Sequence, residues 1–343
     1  MGYGHGLRWK LVAAMARPAK RPTMLDVARR ADVSLKTVSR VINGEDGVAS
    51  ATAERVGRAT RELGFRRNDA ARNLRTGASA TTVGIVIGDV GNPFYAAMHR
   101  AIEQVADSRD HLVVAASTGE DPNRERELLV ELCRRRVDGL LVVPTTADHG
   151  YLNLELDLGT PVVALDRRLI GVEGADCVVP DNVGAAREGV ERLIRAGHTV
   201  IAALSTPHLE ALDQRIEGYQ QAMEGAGLAP WVIDVDQDPV AARAATAAAV
   251  DGADPPTAVF SANNRLSVGV VGALLRSHAD VEVLAFDTFD LADVLPLDVH
   301  IIAHDAAELG RIGANLLFDR LEGYRGESRE RVVPTRSFFY GRD

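Results

Sequence analysis

The sequence predicts a small all-α head followed by a larger α/β domain with doubly wound parallel sheets. Three short helical patterns, the first two with their own cap residues, follow one another between residues 22 and 66. From residue 81 onward, short apolar runs rich in Val and Ile alternate with helical stripes, which is the pattern of parallel strands joined by helices. A chain of 343 residues is long enough for both parts.

The head begins with two short helices separated by a tight turn. Thr23 with Asp26 three residues later is typical of a capped helix start, and Ser34 opens a second helix in the same way. Apolar residues recur at helical spacing in three stripes, which can close one small core: Leu25, Ala28 and Ala31; Val38, Val41 and Ile42; Val56, Ala59 and Leu63. We therefore expect a three-helix bundle over residues 22–66.

The opposite stripe of the second helix is polar and basic. It holds Lys36, Ser39, Arg40 and Asn43, whose side chains can donate hydrogen bonds to phosphates or to base edges in a major groove. The alternative is an ordinary solvated face on a structural bundle. The combination of caps, turn and basic stripe favours DNA binding.

Charge divides the chain in the same place. Residues 1–80 contain 16 Lys and Arg against 7 Asp and Glu, although the whole chain carries a net charge of −9. The head can therefore neutralise phosphates, while the acidic remainder limits indiscriminate binding to nucleic acid.

The α/β domain begins at residue 81. Eight short apolar runs predict strands: VGIVIG, HLVVAAS, GLLVVP, PVVALD, VIAALS, WVIDVD, TAVFSA and VEVLAF. Leu-rich stripes between them, such as Leu128 to Leu132 and Leu316 to Leu321, are expected to cover the sheets as core. A last strand is expected from Phe338 to Tyr340.

Polar residues follow several of these strands. Ligands in open α/β sheets bind outside the carboxyl ends of the strands, so the following residues are candidate effector contacts: Asp89, Asp166, Arg167, Asn263 and Asp287. Phe94 and Tyr95 could stack on a sugar or base. The alternatives are that the polar residues are caps or turns and that the aromatic residues belong to the core.

Several function classes find no support in the sequence. Gly84, Gly88 and Gly91 do not form a GxGxxG fingerprint, and no Walker loop, HExxH or GxSxG motif occurs. No catalytic residue, cofactor or metal site is expected, and His99, His198 and His304 are interpreted as surface or packing residues. No apolar run reaches the roughly 20 residues of a membrane span. Residues 1–21 are expected to be a disordered basic extension, or an artefact of start-codon choice with Met15 as a rival start. The expected location is the cytoplasm, in association with the nucleoid.

The stretch ADVSLKTVSRVING, with GVASATAERV downstream, resembles the helix-turn-helix of the lactose-repressor (LacI/GalR) family. The resemblance implies base contacts by Leu35, Lys36 and Arg40. It also implies phosphate contacts, which fall to Thr23, Thr37, Ser39 and Asn43.

Residues 67–80 resemble the hinge helix and linker of the same family. The resemblance implies that Ala71 and Leu74 enter the minor groove, where an apolar wedge kinks the duplex. A polar linker with an incidental Leu is the alternative. Family members usually carry Pro where Arg67 stands and a Ser cap where Ala49 stands.

Residues 81–343 resemble the family's periplasmic-binding-protein-like effector domain. The resemblance implies an N-lobe of about residues 81–179 and 303–332 and a C-lobe of about residues 180–302 and 333–343, with crossings near Val179, Ile302 and Val333. It also implies that an effector between the lobes is held by Asp166, Arg215, Asn263 and Asp287. Departures at Asn264, at Thr288-Phe289 and in the run LPLDVHIIAH indicate an atypical effector.

Together these features predict a homodimeric transcriptional repressor that binds a pseudo-palindromic double-stranded operator and responds to a small molecule, expected to be a sugar or sugar derivative. Two alternatives remain. A solute-binding receptor of a sugar transporter would share the two lobes but would need a signal peptide and no head. A regulator controlled by a protein partner would share every feature except effector binding.

Overall fold

The computed structural model describes residues 22–42, 45, 47–65, 82–145 and 147–341. The chain divides into two units, one ending at Ala78 and the other beginning at Ser79. The predicted extension of residues 1–21, the hinge of residues 67–80 with Ala71 and Leu74, and the phosphate-contact candidate Asn43 lie outside the described residues.

The head contains three helices, α1 (Met24–Ala31), α2 (Leu35–Ile42) and α3 (Ser50–Leu63). Thr23 and Asp26 form the predicted capping box at α1, since each side chain accepts a hydrogen bond from the other's backbone N–H. The Ser34 hydroxyl accepts a bond of 3.1 Å from the Thr37 N–H at the start of α2. Helix α3 starts after Ala49 without a side-chain cap. Both predicted caps are therefore confirmed.

The core of the head contains the buried residues Val27, Ala28, Ala31, Val38, Val56 and Ala59. One predicted core residue is wrong, because Leu25 is 47% exposed while Val27 is wholly buried. These two residues lie roughly 200° apart around the helix axis, so they cannot share its buried face. Val27 takes the place on α1 that the prediction gave to Leu25.

The second unit alternates strands and helices. Its strands are β1 (Thr82–Ile87), β2 (Leu112–Ser117), β3 (Gly139–Val142), β4 (Val162–Leu165), β5 (Asp176–Pro180), β6 (Ile201–Ser205), β7 (Trp231–Asp234), β8 (Ala258–Ser261), β9 (Glu282–Phe286), β10 (Val299–His304), β11 (Glu330–Val333) and β12 (Thr335–Tyr340). Its α-helices are α4 (Pro93–Asp107), α5 (Pro122–Arg134), α6 (Asn153–Asp157), α7 (Asn182–Arg195), α8 (Glu210–Gly225), α9 (Pro239–Val250), α10 (Asn264–Ser277) and α11 (Ala306–Leu321), with short 3₁₀ turns at Gly150–Leu152 and Ala292–Val294.

The strands form two six-stranded sheets. The first lobe has the order β11-β5-β4-β3-β1-β2 and the second lobe the order β12-β10-β9-β8-β6-β7. All neighbouring strands are parallel except β10 and β12, which are antiparallel. All eight predicted apolar runs form strands, and β5, β10 and β11 are additional strands that the sequence reading did not include.

The chain passes between the lobes three times. It leaves the first sheet after Pro180, returns after His304 and leaves again after Val333. The second crossing lies after His304, two residues later than the predicted position near Ile302, because β10 continues to His304. This difference places the His304 side chain at the carboxyl end of a strand of the second lobe.

Each lobe has its own apolar core between its sheet and its helices. The core of the first lobe buries Ile85, Met98 and Phe318 together. The core of the second lobe buries Tyr219, Phe260 and Phe286 together. The cores fix the two sheets, so the polar residues at the strand ends are held on rigid supports.

Candidate functional site

One face of α2 is exposed and polar. Leu35 is 49% exposed, and Lys36 beside it is exposed as well. Ser39 and Arg40 follow one turn later, whereas Val38 faces the core. The Arg40 Nε atom lies 3.6 Å from the Glu45 carboxylate. Helical geometry therefore places all four side chains on the side of α2 that faces away from the core.

Two of the predicted phosphate contacts already take part in helix caps. The Thr23 hydroxyl donates to the Asp26 carboxylate at 2.6 Å. The Thr37 hydroxyl lies 2.8 Å from the Ser34 hydroxyl. The two hydroxyls are thus held at the amino ends of α1 and α2, where helix N–H groups favour anions.

In the second unit, polar residues cluster where strand ends of the two lobes meet. Asp166 and Arg167 follow β4, Asn263 follows β8, and Asp287 follows β9. All four are buried, as is Arg215 on α8. The structure therefore brings together five of the predicted effector residues.

Arg215 is held from several sides. Its Nη1 atom donates to the Asp287 carboxylate at 2.8 Å and to the Ala262 carbonyl at 2.8 Å. Its Nε atom donates to the Asn182 side chain at 3.0 Å, and the guanidinium lies 3.8 Å from the centre of the Phe286 ring. Such a network fixes Asp287 with one oxygen paired to Arg215.

Several buried polar atoms in this cluster have no hydrogen-bond partner among the described residues. They are one carboxylate oxygen (Oδ1) of Asp166 and of Asp287, the side-chain nitrogen of Asn263, the Nε atom of Arg167, and both ring nitrogens of His304. Asp166 and Asp287 also have φ angles of 66° and 67°, in the left-handed region. Unpaired buried groups and strained backbone both cost free energy, and both concentrate at ligand sites.

His304 ends β10, and its side chain is wholly buried. Its Nε2 atom lies 3.8 Å from Asp166 of the first lobe, and its Nδ1 atom lies 3.6 Å from Asp287 of the second. Burial lowers the pKa of the imidazole below its usual value, although Asp287 and Asp166 act in the opposite direction. Interpreting His304 as a plain surface or packing residue was therefore incomplete.

Arg167 is occupied by a residue that the sequence reading missed. Its guanidinium donates to the Glu120 carboxylate at 2.7 and 3.1 Å and to the Tyr95 hydroxyl at 3.1 Å. Burial raises the pKa of Tyr95 well above its usual value. Gly88 allows this arrangement, because a side chain there would collide with Glu120. Arg167 and Tyr95 thus form a supporting layer behind Asp166.

Asp89 lies outside the cluster of unpaired atoms. Its carboxylate accepts a bond of 2.9 Å from Arg265 of the second lobe. In a second contact between the lobes, the Asn264 side-chain nitrogen donates to the Asn92 side-chain oxygen at 2.8 Å. In a third contact, the backbone N–H of Arg168, which follows β4, donates to the Glu210 carboxylate at 2.8 Å. Three polar contacts therefore connect the lobes around the cluster.

A cavity of about 400 Å³ adjoins His304 and Asp287. Phe94, Phe289 and Arg336 contribute to its wall. The Phe94 ring also meets the His304 ring edge-on, with 5.2 Å between centroids. A larger cavity of about 880 Å³ on the first lobe lies elsewhere, beside Tyr151 and Leu158, and contains none of the cluster residues.

Glu120, Asn182 and His304 were not predicted as site residues. Glu120 follows β2 and His304 ends β10, so the rule that ligands meet strand ends applies to both. The prediction missed His304 because the run VHIIAH was not recognised as a strand. Asn182 opens a helix and carries no comparable signal. Within the described residues, no helix is both long and apolar enough to cross a bilayer.

Comparison with known proteins gives two family matches. Residues 23–68 match the model of bacterial regulatory proteins of the lacI family. Residues 80–339 match the model described as periplasmic binding proteins and the sugar binding domain of the LacI family.

Individual relatives and structures agree with these matches. The ribose operon repressor of Haemophilus influenzae is 29% identical over 88% of this chain and 94% of its own length. The transcriptional regulator CelR in complex with cellobiose is 29% identical, with a TM-score of 0.66 over 93% of this chain and 98% of that one. The Lac repressor dimer bound to operator and the anti-inducer ONPF is 24% identical, with a TM-score of 0.77 over 94% and 99% of the two chains, which shows the shared fold.

Proposed function

The chain belongs to the LacI family of bacterial regulatory proteins, and we propose that it is a transcriptional repressor whose operator affinity is set by a polyhydroxylated small molecule between the two lobes. The observation that carries the proposal is the group of buried, unpaired polar atoms at the strand ends. A ligand that enters there satisfies atoms that the protein leaves unsatisfied.

We assign sequence reading to Leu35, Lys36 and Arg40 of α2. An Arg bound to guanine through two hydrogen bonds discriminates between bases, whereas a phosphate contact adds affinity without choosing a sequence. We assign phosphate contacts to Ser39, and to Thr23 and Thr37 in addition to their cap roles, with Asn43 as a further candidate from the sequence. The basic composition of residues 1–80 supports this division.

The protein acts as a homodimer in this proposal, with one head on each half of a pseudo-palindromic operator. The head comprises residues 22–66, and the hinge comprises residues 67–80. Both ranges are those that the family resemblance implies. The relatives from Haemophilus influenzae and the Lac repressor are named as repressors and CelR as a transcriptional regulator, and no catalytic role is proposed. The place of action is the cytoplasm, at the nucleoid.

The unpaired atoms indicate the chemistry of the effector. Asp166 and Asp287 each need a donor, and the Asn263 side chain needs an acceptor. Hydroxyl groups supply both, whereas a carboxylate or phosphate supplies only acceptors. Phe94 offers an apolar edge for a sugar ring. The relatives named for ribose and cellobiose point to the same class.

The unpaired atoms lie on both lobes, and this position allows an effector to control DNA binding. Asp166 belongs to the first lobe, while Asn263 and Asp287 belong to the second. A ligand that bonds to all three favours one arrangement of the lobes and thereby shifts the population of the state that binds DNA. A hundredfold change in operator affinity needs only about 2.7 kcal/mol of coupling.

Selection of binding sites from fragmented host DNA tests this function. Purified full-length protein is mixed with the fragments, and the retained DNA is sequenced with and without D-ribose, cellobiose and a metabolite extract. The proposal predicts enrichment of a symmetric site, and weaker enrichment of that site by the Arg40→Ala variant. Enrichment of no site under any of these conditions would contradict it.

A further inference from the structure

A chain of hydrogen bonds connects two effector candidates that lie on different lobes. Its links join side chains of the second lobe, and the last link reaches the backbone of the first lobe. The members of this chain, which we call the relay, are in order Asp287, Arg215, Asn182, Gln214, Glu210 and Arg168. Arg168 lies two residues after Asp166, beyond the end of β4, so the relay leads from one effector carboxylate to the neighbourhood of the other.

The middle of the relay lies on two helices of the second lobe. Asn182 is the first residue of α7, and its side-chain nitrogen donates to the Gln214 side-chain oxygen at 3.0 Å. The Gln214 side-chain nitrogen donates in turn to the Glu210 carboxylate at 2.9 Å, one turn earlier on α8. Both amide groups therefore accept on one side and donate on the other in the same direction, an arrangement in which each bond strengthens the next.

Glu210 is the residue at which the relay crosses to the first lobe. Its carboxylate accepts a bond of 2.8 Å from the Arg168 backbone N–H and lies 3.4 Å from the guanidinium of the same residue. That guanidinium also donates to Glu330 of the first lobe at 2.7 Å, which holds it on its own lobe. Glu210 is thus bonded to Gln214 on the second lobe and to Arg168 on the first, so a movement of the lobes against each other must stretch this contact.

We propose that Glu210 and Gln214 are positioning residues, which keep Asp166 of the first lobe at the distance from Asp287 that the effector needs. They act through the relay rather than by contact with the ligand. A ligand that bonds to both carboxylates then finds them already in place, which reduces the ordering that binding costs. The inference rests on the proposed function and adds that effector affinity depends on a contact between the lobes outside the effector cluster.

Replacement of one amide by a carboxylate tests the relay with little change in shape. Gln214→Glu keeps the oxygen that accepts from Asn182, but it replaces the donor to Glu210 by a second negative oxygen, and like charges one helical turn apart repel. The control is Gln221→Glu, because Gln221 makes the same kind of bond, at 3.0 Å, to Glu217 four residues earlier on the same helix. Both control side chains are exposed, and the two variants change the net charge equally.

A third variant restores the relay with the two groups exchanged. In the combination of Gln214→Glu with Glu210→Gln, the amide at position 210 donates to the carboxylate at position 214, and its oxygen accepts from the Arg168 N–H. Asn182 keeps its acceptor as well. Recovery in this double variant is a result that a general loss of stability cannot produce, because two independent losses add. Urea unfolding reports the stability of each variant.

Calorimetric titration of the full-length protein with D-ribose and with cellobiose measures the effect on the effector. We expect Gln214→Glu to lose about threefold to tenfold in affinity for the sugar that binds wild-type protein, which is the scale of one net hydrogen bond, and the double variant to regain most of this loss. Gln221→Glu should bind like the wild type. Equal affinities of Gln214→Glu and Gln221→Glu, or no recovery in the double variant, would overturn the proposal.

If neither sugar binds to the wild-type protein, the interpretation of these sugars as effectors is wrong, and hydrogen exchange decides the inference separately. Mass spectrometry follows exchange of the Arg168 backbone N–H in the ligand-free proteins. We expect this exchange to be about threefold to tenfold faster in Gln214→Glu than in Gln221→Glu, and to return to the wild-type rate in the double variant. The same rate in Gln214→Glu and Gln221→Glu would show that the relay does not hold the loop of Arg168, and the proposal would fall.

Discussion

The two polar atoms of the Asn263 side chain have different surroundings, one in a helix cap and one without a partner among the described residues. Its Oδ1 atom caps α10 by accepting a bond of 2.9 Å from the Leu266 N–H. Its Nδ2 atom is buried and has no partner among the described residues. Replacement by Asp keeps the shape and the cap but turns the unpaired donor into an acceptor.

The expected result of Asn263→Asp is a loss of effector affinity with the cap of α10 retained. Asp is as good an N-cap as Asn, so the cap should change the free energy of unfolding by less than about 0.5 kcal/mol, while burial of the unpaired carboxylate should lower it by about 1–3 kcal/mol. A lost hydrogen bond to a sugar hydroxyl, with an added unpaired carboxylate, should cost about 1–3 kcal/mol, or roughly fivefold to 150-fold in affinity. Titration with the sugar that binds wild-type protein and urea unfolding measure the two quantities.

The control is Asn263→Ala, which removes the cap as well as the donor. It should lose effector affinity to a similar extent, and it should also lose about 0.5–2 kcal/mol of stability. Wild-type sugar affinity in Asn263→Asp would refute the reasoning, because the unpaired nitrogen would then have no part in the effector site.

Two further predictions concern the head and the first lobe. Arg40→Ala should weaken binding to the selected operator by about 1–3 kcal/mol more than binding to scrambled DNA, whereas Ser39→Ala should weaken both alike; fluorescence anisotropy with the two duplexes distinguishes them. Asp176→Asn should lower the free energy of unfolding by about 3–5 kcal/mol near neutral pH, because the buried carboxylate pairs with Arg320 and Arg329. Although burial acts to raise the pKa of Asp176, those hydrogen bonds lower it overall, so its stabilising contribution is lost as pH falls through the folded-state value. Urea unfolding at about pH 7 and at about pH 2.5 should therefore show a smaller difference between wild type and variant in acid, and equal differences would contradict this.

The helices of the head were predictable because their signals are local. The capping pair Thr23 and Asp26 and the cap at Ser34 depend on residues three positions apart. The error at Leu25 came from placing it in the stripe of Ala28 and Ala31, although Val27 is the residue that the bundle buries. Which side of a short helix faces inward depends on the position of its neighbours, which no local pattern contains.

The strands were predictable from continuous apolar runs, most of them buried on both faces, although β2 was predicted in the same way while most of its residues are exposed or half-buried. Runs such as VGIVIG are almost wholly buried and therefore continuously apolar. The strands β5 and β11 were missed because they are interrupted by Asp176 and by charged residues such as Arg331. The carboxylate of Asp176 is compensated by Arg320 and Arg329, more than 140 positions away in sequence. Long-range pairing of this kind cannot be derived from spacing.

The effector site was predicted in outline by the rule that ligands meet strand ends. The rule identified Asp166, Asn263 and Asp287, which carry the unpaired atoms. It gave no means to separate them from Asp89, which instead pairs with Arg265 across the lobes. Whether a strand-end residue is left unpaired depends on what the other lobe brings to it. The position of His304 between Asp166 and Asp287 could be found only from the three-dimensional arrangement.

In the proposed function, a ligand at the strand ends controls the affinity for DNA. This control is measured as the dissociation constant of the selected operator with and without a saturating sugar, in wild-type protein and in Asn263→Asp at the same sugar concentration. We expect a change of about a hundredfold in the wild type and a much smaller change in the variant. Operator affinity that is unaffected by every ligand of the cleft, or a response that is unaltered in Asn263→Asp, would contradict it.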